Sequence, residues 1–292
     1  MQKLITVIGT TASGKSDLAI FLARRLGGEI ISCDSRQVYK GLDLGTGKVT
    51  IEEQQLAKHH LIDVIEPNQK FSVAEFQKLA YSAINDVLAR GKVAILAGGT
   101  GLYSRAVVEG YGLCEEQEDD LLREQINQKS ASEMVEELKL LGEDVPEGLS
   151  PRHLSRRLEK AKKGTKQSQN NPQYEVLQLV IVPERELLYE RIRIRLDKRL
   201  EQGMINEVKA LKQQGATDEF LEGLGLEYRY INRYLNGEYT YEEFYEELFK
   251  QIRHFAKRQI TWFKKEKNAV WLDFNGDYQD KALKLCQDFL SK

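Results

Sequence analysis

The chain has 292 residues, of which 41% are hydrophobic and 30% charged, and its formal net charge is −2. This composition is typical of a globular protein with a sizeable core, and such a small charge gives no overall attraction to nucleic acid, so any RNA must be held by local basic patches. The apolar runs are much shorter than the roughly 20 residues that span a bilayer. The first apolar run starts too early to leave room for a targeting peptide, so we expect a cytoplasmic protein. The three cysteines form no C-x-x-C pair, so we expect neither a structural zinc site nor disulfides.

The first apolar run, residues 4–8, leads directly into a G-x-x-x-x-G-K-S sequence. A strand, a glycine-rich loop and a helix start in that order direct backbone N–H groups and the positive end of a helix dipole at one anion. The lysine supplies a cation for the outer phosphates, and the serine supplies a hydroxyl for Mg²⁺. The pattern predicts a site for a diphosphate or triphosphate, formed by Gly9, Thr10, Thr11, Ala12, Ser13, Gly14, Lys15 and Ser16.

Further apolar runs of β type alternate with helical stretches, at residues 29–33, 60–64, 93–97, 176–182 and 270–274. This alternation predicts an α/β fold, a P-loop NTPase-like parallel sheet with helices on both faces. Between residues 113 and 172 the strands stop, while an acidic run, a helical pattern and a polar stretch follow one another. We therefore expect a core of residues 1–112 and 173–292 and a small all-helical insertion domain at 113–172.

Acidic residues follow two of the predicted strands, at the edge where parallel sheets carry their sites. Asp34 lies one strand from the phosphate-binding loop, where a carboxylate can act as a general base, but an N-cap on the next helix is an equally good interpretation. Asp63 closes the third predicted strand and is a candidate for the acid that holds Mg²⁺ in an NTPase. The loop by itself therefore also fits a P-loop small-molecule kinase that uses ATP, or an RNA-binding module with a vestigial loop.

Leucine or isoleucine recurs every fourth position from 188 to 200, which predicts a helix carrying Arg191, Arg195 and Arg199 on one stripe. Without context, a solvated charged face is the favoured interpretation of that stripe. Two further basic clusters occur, one at residues 151–166 and one at residues 253–265, the second interleaved with aromatic residues. Such patches position RNA phosphates without reading sequence. Of the aromatic residues, Trp262 and Phe263 fit a helix core better than a stacking platform for bases.

Several motifs resemble those of the tRNA dimethylallyltransferases, in the family's order and over nearly the whole chain. They are the phosphate-binding loop and residues 34–39, 45–48, 59–63, 71–76, 98–103 and 256–263. The resemblance is to the bacterial type, since the C-terminal zinc finger of eukaryotic relatives has no counterpart here. It implies that a dimethylallyl group is transferred from dimethylallyl diphosphate to N6 of adenosine 37 beside a tRNA anticodon, assisted by Mg²⁺. We expect the protein to act as a monomer.

The resemblance also implies roles for individual residues. Asp34 would accept the proton of the adenine amine, Arg195 and Thr11 would act at the diphosphate with the loop, and Ser16 would hold Mg²⁺. The residues implied to contact the anticodon stem-loop are Asp34, Ser35, Arg36, Gln37, Thr100, Arg152, His153, Arg156, Lys257 and Arg258. The chain departs from the family pattern in three places: Thr10 replaces a proline, His153 replaces an arginine, and a Gly-Tyr-Lys-Glu type element is altered at residues 223–228.

Overall fold

A computed structural model of the chain describes residues 1–113, 120–164, 169–274 and 276–292. These residues form two compact units, one of Met1–Gly110 with Pro172–Lys292 and one of Tyr111–Asn171. The acidic run at 115–119, Cys114 and the basic Lys166 lie outside the described residues. Cys33 and Cys286 are buried free thiols.

A six-stranded parallel sheet is the centre of the first unit, and its strand order is β3-β2-β4-β1-β5-β6. The strands are β1 (Gln2–Gly9), β2 (Gly28–Ser32), β3 (His59–His60), β4 (Val93–Gly98), β5 (Tyr174–Ile181) and β6 (Val270–Leu272). The central strand β1 pairs with β5 along its whole length and with β4 over its second half. The predicted α/β fold with a parallel sheet is confirmed.

Alternate side chains of the sheet enter different hydrophobic cores because successive residues of a strand point to opposite faces. From β1, Ile5 and Val7 pack with α1 (Lys15–Leu26) and α13 (Tyr278–Ser291). On the other face, Leu4 packs with α3 (Val73–Ala89) and α4 (Gly101–Val108). Helices therefore cover both faces, as predicted.

The third strand is shorter than the sequence indicates. It ends at His60, because Leu61 and Asp63 have left-handed φ angles of 61° and 55° that break the extended backbone. The Asp63 carboxylate forms an ion pair with the Lys48 ammonium group. The expectation that Asp63 closes a strand is therefore wrong, and this carboxylate already has a cation as its partner.

A second core of the first unit is made of helices that follow β5. They are α8 (Arg185–Glu201), α9 (Met204–Gln213), α10 (Asp218–Leu224), α11 (Leu226–Leu235) and α12 (Tyr241–Phe263). The leucine stripe of α8 is buried here, which confirms that helix. The short helix α2 (Ile51–Leu56) lies between β2 and β3 in the chain.

The second unit is helical, and α5 (Asp120–Asn127), α6 (Ala131–Leu140) and α7 (Pro151–Lys162) pack around a small core of its own. Its Glu159 is buried, with the Arg123 guanidinium 2.9 Å from the carboxylate. Helix α7 starts at an N-cap, where the Ser150 hydroxyl accepts the His153 N–H. In the described part of the chain, no helix is both long and apolar enough to cross a membrane.

The buried carboxylate of Glu29, on β2, yields a stability prediction. Glu29 is 2% exposed, and Arg90 donates two hydrogen bonds of 2.6 and 2.7 Å to it. Hydrogen bonds from Arg90, and then from Lys92 and His60, hold the pKa of Glu29 well below its usual value. Its stabilising contribution is therefore complete above about pH 4.5 and is lost as the pH falls below that value.

We expect Glu29→Ala to lower the free energy of unfolding by about 3–5 kcal/mol at pH 7, since it leaves several cations without their shared carboxylate. Urea denaturation would measure this loss. Asp86→Ala is the matched control: it removes the 60% exposed second partner of Arg90 and should cost less than about 1 kcal/mol. Equal losses in the two variants would contradict the importance of the buried carboxylate.

Candidate active site

The carboxyl ends of three adjacent strands bring the candidate residues together. Strands β2, β4 and β1 are neighbours in the sheet, and they are followed by Asp34, by residues 99–100 and by the phosphate-binding loop. A Cβ on Gly98 would lie 2.0 Å from the Cys33 carbonyl oxygen, so only glycine permits this approach. The Thr100 hydroxyl accepts the Ser35 N–H at 3.1 Å. The loops after β2 and β4 are thereby bound to each other.

The phosphate-binding loop ends at Gly14, whose φ of 86° needs a glycine, and α1 starts at Lys15. No side chain among the described residues caps this helix, so its first N–H groups remain available to an anion. The hydroxyls of Thr10 and Ser13 are buried and have no hydrogen-bond partner among the described residues. The Lys15 ammonium donates to the Thr10 carbonyl at 3.1 Å.

Two half-buried cations, Lys15 and Arg195, contact this loop. Burial, and then repulsion from Arg195, lowers the pKa of Lys15 to about 8, against a smaller upward effect of Asp34. Burial, followed by repulsion from Arg199, lowers the pKa of Arg195 to about 10. Both groups are therefore mostly charged at pH 7. An anion bound beside both would offset the electrostatic repulsion between them.

The three arginines of the α8 stripe, Arg191, Arg195 and Arg199, all donate hydrogen bonds to loops of the site. The Arg191 Nε donates to the Ala12 carbonyl at 2.8 Å. Arg195 donates from Nη1 to the Thr11 hydroxyl and from Nη2 to the Gly47 carbonyl, both at 3.1 Å. Arg199 is buried. The solvated-face interpretation of the stripe is therefore wrong.

Asp34 directly precedes a turn at residues 35–38, and its Oδ1 accepts the Arg36 N–H at 2.9 Å. No helix starts there, so the interpretation of Asp34 as a helix N-cap is wrong. The side chain lines a small, partly open cavity of about 20 Å³, roughly one water, together with Lys15, Ser16 and Gln37. The Ser16 hydroxyl, at the start of the helix after a glycine-rich loop, is of the type that binds Mg²⁺, so Ser16 fits that ion.

Gln37 and Arg36 extend the site toward a further loop. Gln37 donates to the Gly47 carbonyl at 3.3 Å and accepts the Ser32 hydroxyl at 3.4 Å. The half-buried Arg36 donates to the Gly223 carbonyl at 3.1 Å. Both side chains therefore already have protein partners within the core unit.

The basic residues at 257 and 258 lie apart from this cluster, on the exposed side of α12. They line an open groove of about 400 Å³ with His254, Thr261, Trp262 and Lys265. Phe263 is 1% exposed, and the Trp262 ring is covered by the Arg105 guanidinium at 4.9 Å, so both aromatic residues pack as predicted. Arg152, His153 and Arg156 are exposed on α7, in the second unit.

Known proteins are similar to this chain over most of its length. A family model described as IPP transferase matches residues 37–266. A tRNA dimethylallyltransferase of Anoxybacillus flavithermus is 39% identical, with 94% of this chain and 92% of that protein aligned. One of Streptococcus sanguinis is 37% identical over 99% of both chains. The chain belongs to the IPP transferase family, the tRNA dimethylallyltransferases.

Solved structures of the family have the same fold. A tRNA isopentenylpyrophosphate transferase of Bacillus halodurans is 34% identical and superposes with a TM-score of 0.76, covering 100% of this chain and 96% of that one. A eukaryotic dimethylallyltransferase acting on tRNA gives a TM-score of 0.83 at 24% identity, covering 100% and 80% of the two chains. The family resemblance seen in the motifs is thereby confirmed.

Gln259 belongs to the site, although the sequence did not indicate it; it lies within the family motif at residues 256–263. Gln259 of α12 is 7% exposed; its Oε1 accepts the Thr11 N–H and its Nε2 donates to the Gly99 carbonyl, both at 2.9 Å. It thus joins the loops after β1 and β4. A glutamine beside two basic residues gives no sign of this in the sequence, because its partners lie 248 and 160 positions away.

We expect Gln259→Leu to lower the free energy of unfolding by about 1–3 kcal/mol, because it leaves a buried carbonyl and an N–H without partners. Chemical denaturation would measure the difference. Gln251→Leu on the same helix serves as the control, since Gln251 bonds only to the neighbouring Glu247; it should change the value by less than about 0.5 kcal/mol. An unchanged Gln259→Leu protein would show that the two loops hold their positions without this contact.

Proposed function

We propose that the protein transfers a dimethylallyl group from dimethylallyl diphosphate to N6 of adenosine 37 in the tRNA anticodon loop, as a monomer in the cytoplasm. The observation that supports this most directly is that Lys15 and Arg195 both bind the phosphate-binding loop, at the Thr10 carbonyl and the Thr11 hydroxyl, while Asp34 lines the same cavity as Lys15. Cations for a leaving diphosphate and a carboxylate for an incoming amine are thereby combined in one site.

On the donor side, the C–O bond between the allylic carbon and the diphosphate breaks, and the electron pair leaves with the diphosphate. Lys15, Arg195 and the N–H groups of the loop bind the charge that grows on its oxygens, which stabilises the transition state. Ser16 is the protein ligand proposed for Mg²⁺, which when bound neutralises further phosphate charge.

On the acceptor side, the N6 nitrogen forms the new bond to the allylic carbon and must lose a proton. Asp34 is the proposed base, with a contribution of roughly 10²–10⁴-fold. Its second oxygen remains for that proton while Oδ1 is engaged by the Arg36 N–H. Ser35, Arg36, Gln37 and Thr100, which surround Asp34, are the proposed contacts to the acceptor nucleotide.

The rest of the RNA is proposed to lie on basic surface. Lys257 and Arg258 line the groove on α12, where phosphates would be bound without sequence reading. Arg152, His153 and Arg156 of α7 are proposed for the anticodon stem-loop, within a helical unit that inserts in the chain between β4 and β5. The imidazole of His153 is held by the Ser150 hydroxyl at 2.9 Å.

Mass spectrometry of an anticodon stem-loop incubated with the protein, Mg²⁺ and dimethylallyl diphosphate tests the proposal. We expect the RNA to gain one C₅H₈ unit, and a stem-loop with guanine at position 37 to gain none. A parallel reaction with ATP in place of the prenyl donor examines the kinase alternative. Consumption of ATP without any modification of RNA would overturn the proposal.

We expect Asp34→Asn to reduce transfer by at least about 10²-fold, since the amide cannot accept the proton. Its affinity for the stem-loop should stay within about threefold of the wild type, because the amide oxygen can still accept the Arg36 N–H. Single-turnover transfer rates and fluorescence anisotropy would measure the two quantities. A variant that transfers normally would exclude Asp34 as the base.

We expect the affinity for Mg²⁺-pyrophosphate to fall as the pH rises above about 8. The lowered pKa of Lys15 means that its charge, which the anion needs, is present below this pH and is lost above it. Calorimetric titrations between pH 7 and 9.5 would show a fall approaching tenfold per pH unit. Lys15→Arg is the control, since arginine stays charged; equal pH profiles for both proteins would contradict the role of Lys15.

A further inference from the structure

The loop of residues 43–48 is bound from outside the site by a carboxylate that no motif pointed to. Glu207 of α9 accepts the N–H groups of Asp43 at 3.0 Å, Leu44 at 2.6 Å and Gly45 at 3.0 Å. The Tyr228 hydroxyl donates to the same carboxylate at 2.8 Å. Four donors on one carboxylate fix three successive peptide groups of the loop.

The carbonyl groups of the same loop are held by a buried arginine. Arg199 is 6% exposed, and its Nη1 donates to the Leu44 carbonyl at 3.0 Å and to the Gly45 carbonyl at 3.1 Å. Its Nη2 forms an ion pair with Glu227 at 2.7 Å. Helices α8 and α9 therefore bind opposite polar groups of one short segment, which leaves that segment little freedom.

The other end of the loop reaches the site at Gly47. Its carbonyl accepts both the Arg195 Nη2 at 3.1 Å and the Gln37 Nε2 at 3.3 Å. A Cβ on Gly47 would lie 1.8 Å from that Arg195 nitrogen, and the φ of 58° also favours glycine. Arg195 is thus oriented by two acceptors, the Gly47 carbonyl and the Thr11 hydroxyl.

We propose that Glu207 and Arg199 are positioning residues for diphosphate binding: they hold the loop of residues 43–48 so that the Gly47 carbonyl aims Arg195 at the phosphate-binding loop. This inference rests on the proposed function, because it assumes that Arg195 meets a diphosphate. Neither residue touches the ligand. Arg199 also repels the Arg195 guanidinium, so the Gly47 carbonyl has to hold that guanidinium in place against its neighbour.

A double-mutant cycle on Mg²⁺-pyrophosphate binding, measured by calorimetry at pH 7, tests the inference. In Glu207→Gln the new NH₂ group cannot accept an N–H, so one edge of the loop is released. We expect about tenfold weaker pyrophosphate binding in this variant, since a small misplacement of a ligand group costs that much or more. In an Arg195→Ala background the same substitution should change the affinity by less than about twofold, because the residue through which it acts is gone.

Three further variants complete the experiment. Glu201→Gln makes the same charge change at an exposed position and should bind pyrophosphate like the wild type. Arg199→Lys keeps a positive charge beside Glu227 but lacks the planar guanidinium that reaches both loop carbonyls, so it should also weaken pyrophosphate binding through Arg195. This variant replaces Glu207→Gln in the cycle if Glu207→Gln does not fold. Lys15→Ala should abolish pyrophosphate binding.

The possible results separate the two proposals. A Glu207→Gln effect of equal size with and without Arg195 would overturn the inference and leave the proposed function untouched. If the wild type binds pyrophosphate and the cycle is non-additive, but the wild type does not modify RNA, the proposed acceptor is overturned and the inference is supported. Pyrophosphate binding that is absent from the wild type would overturn both.

Discussion

The constraint on which the site depends is the desolvation of two cations, Lys15 and Arg195, near the carboxylate of Asp34. Desolvation lowers the pKa of both groups, and the charge of Arg195 lowers the pKa of Lys15 further. Backbone carbonyls of Thr10 and Gly47 compensate them in part. Such a site favours an anion with several oxygens, because the oxygens can accept hydrogen bonds from both cations and offset their positive charge.

Helices that are distant in sequence from these two loops hold the loops in place. The phosphate-binding loop gains its shape from β1 and α1, which are its immediate neighbours, yet Gln259 of α12 binds its Thr11 N–H. The loop of residues 43–48 takes its shape from α8 and α9. The helical core that follows β5 therefore serves the chemistry at the sheet edge, by fixing loops that a sheet alone would leave free.

Local signals were sufficient for much of this architecture. The glycine-rich loop, the alternation of strands and helices, and the α8 stripe each depend on neighbouring residues, and each predicted its element. Sequence failed where a long-range contact decides the backbone. The third strand ends early where Asp63 pairs with Lys48, 15 positions away. Glu207 gave no signal at all, since a lone glutamate on a polar helix resembles any solvated one.

The hydrogen bonds of Gln259 also bear on how the protein is made. This residue lies near the end of the chain, and its partner Thr11 lies near the beginning, 248 positions earlier. During synthesis the strands β1, β2 and β4 emerge well before α12, so a nascent chain carries a phosphate-binding loop whose Thr11 N–H and Gly99 carbonyl are still open to water. Since contacts between residues far apart in sequence form late, the nascent chain gains a fully ordered ligand site only after α12 has been synthesised.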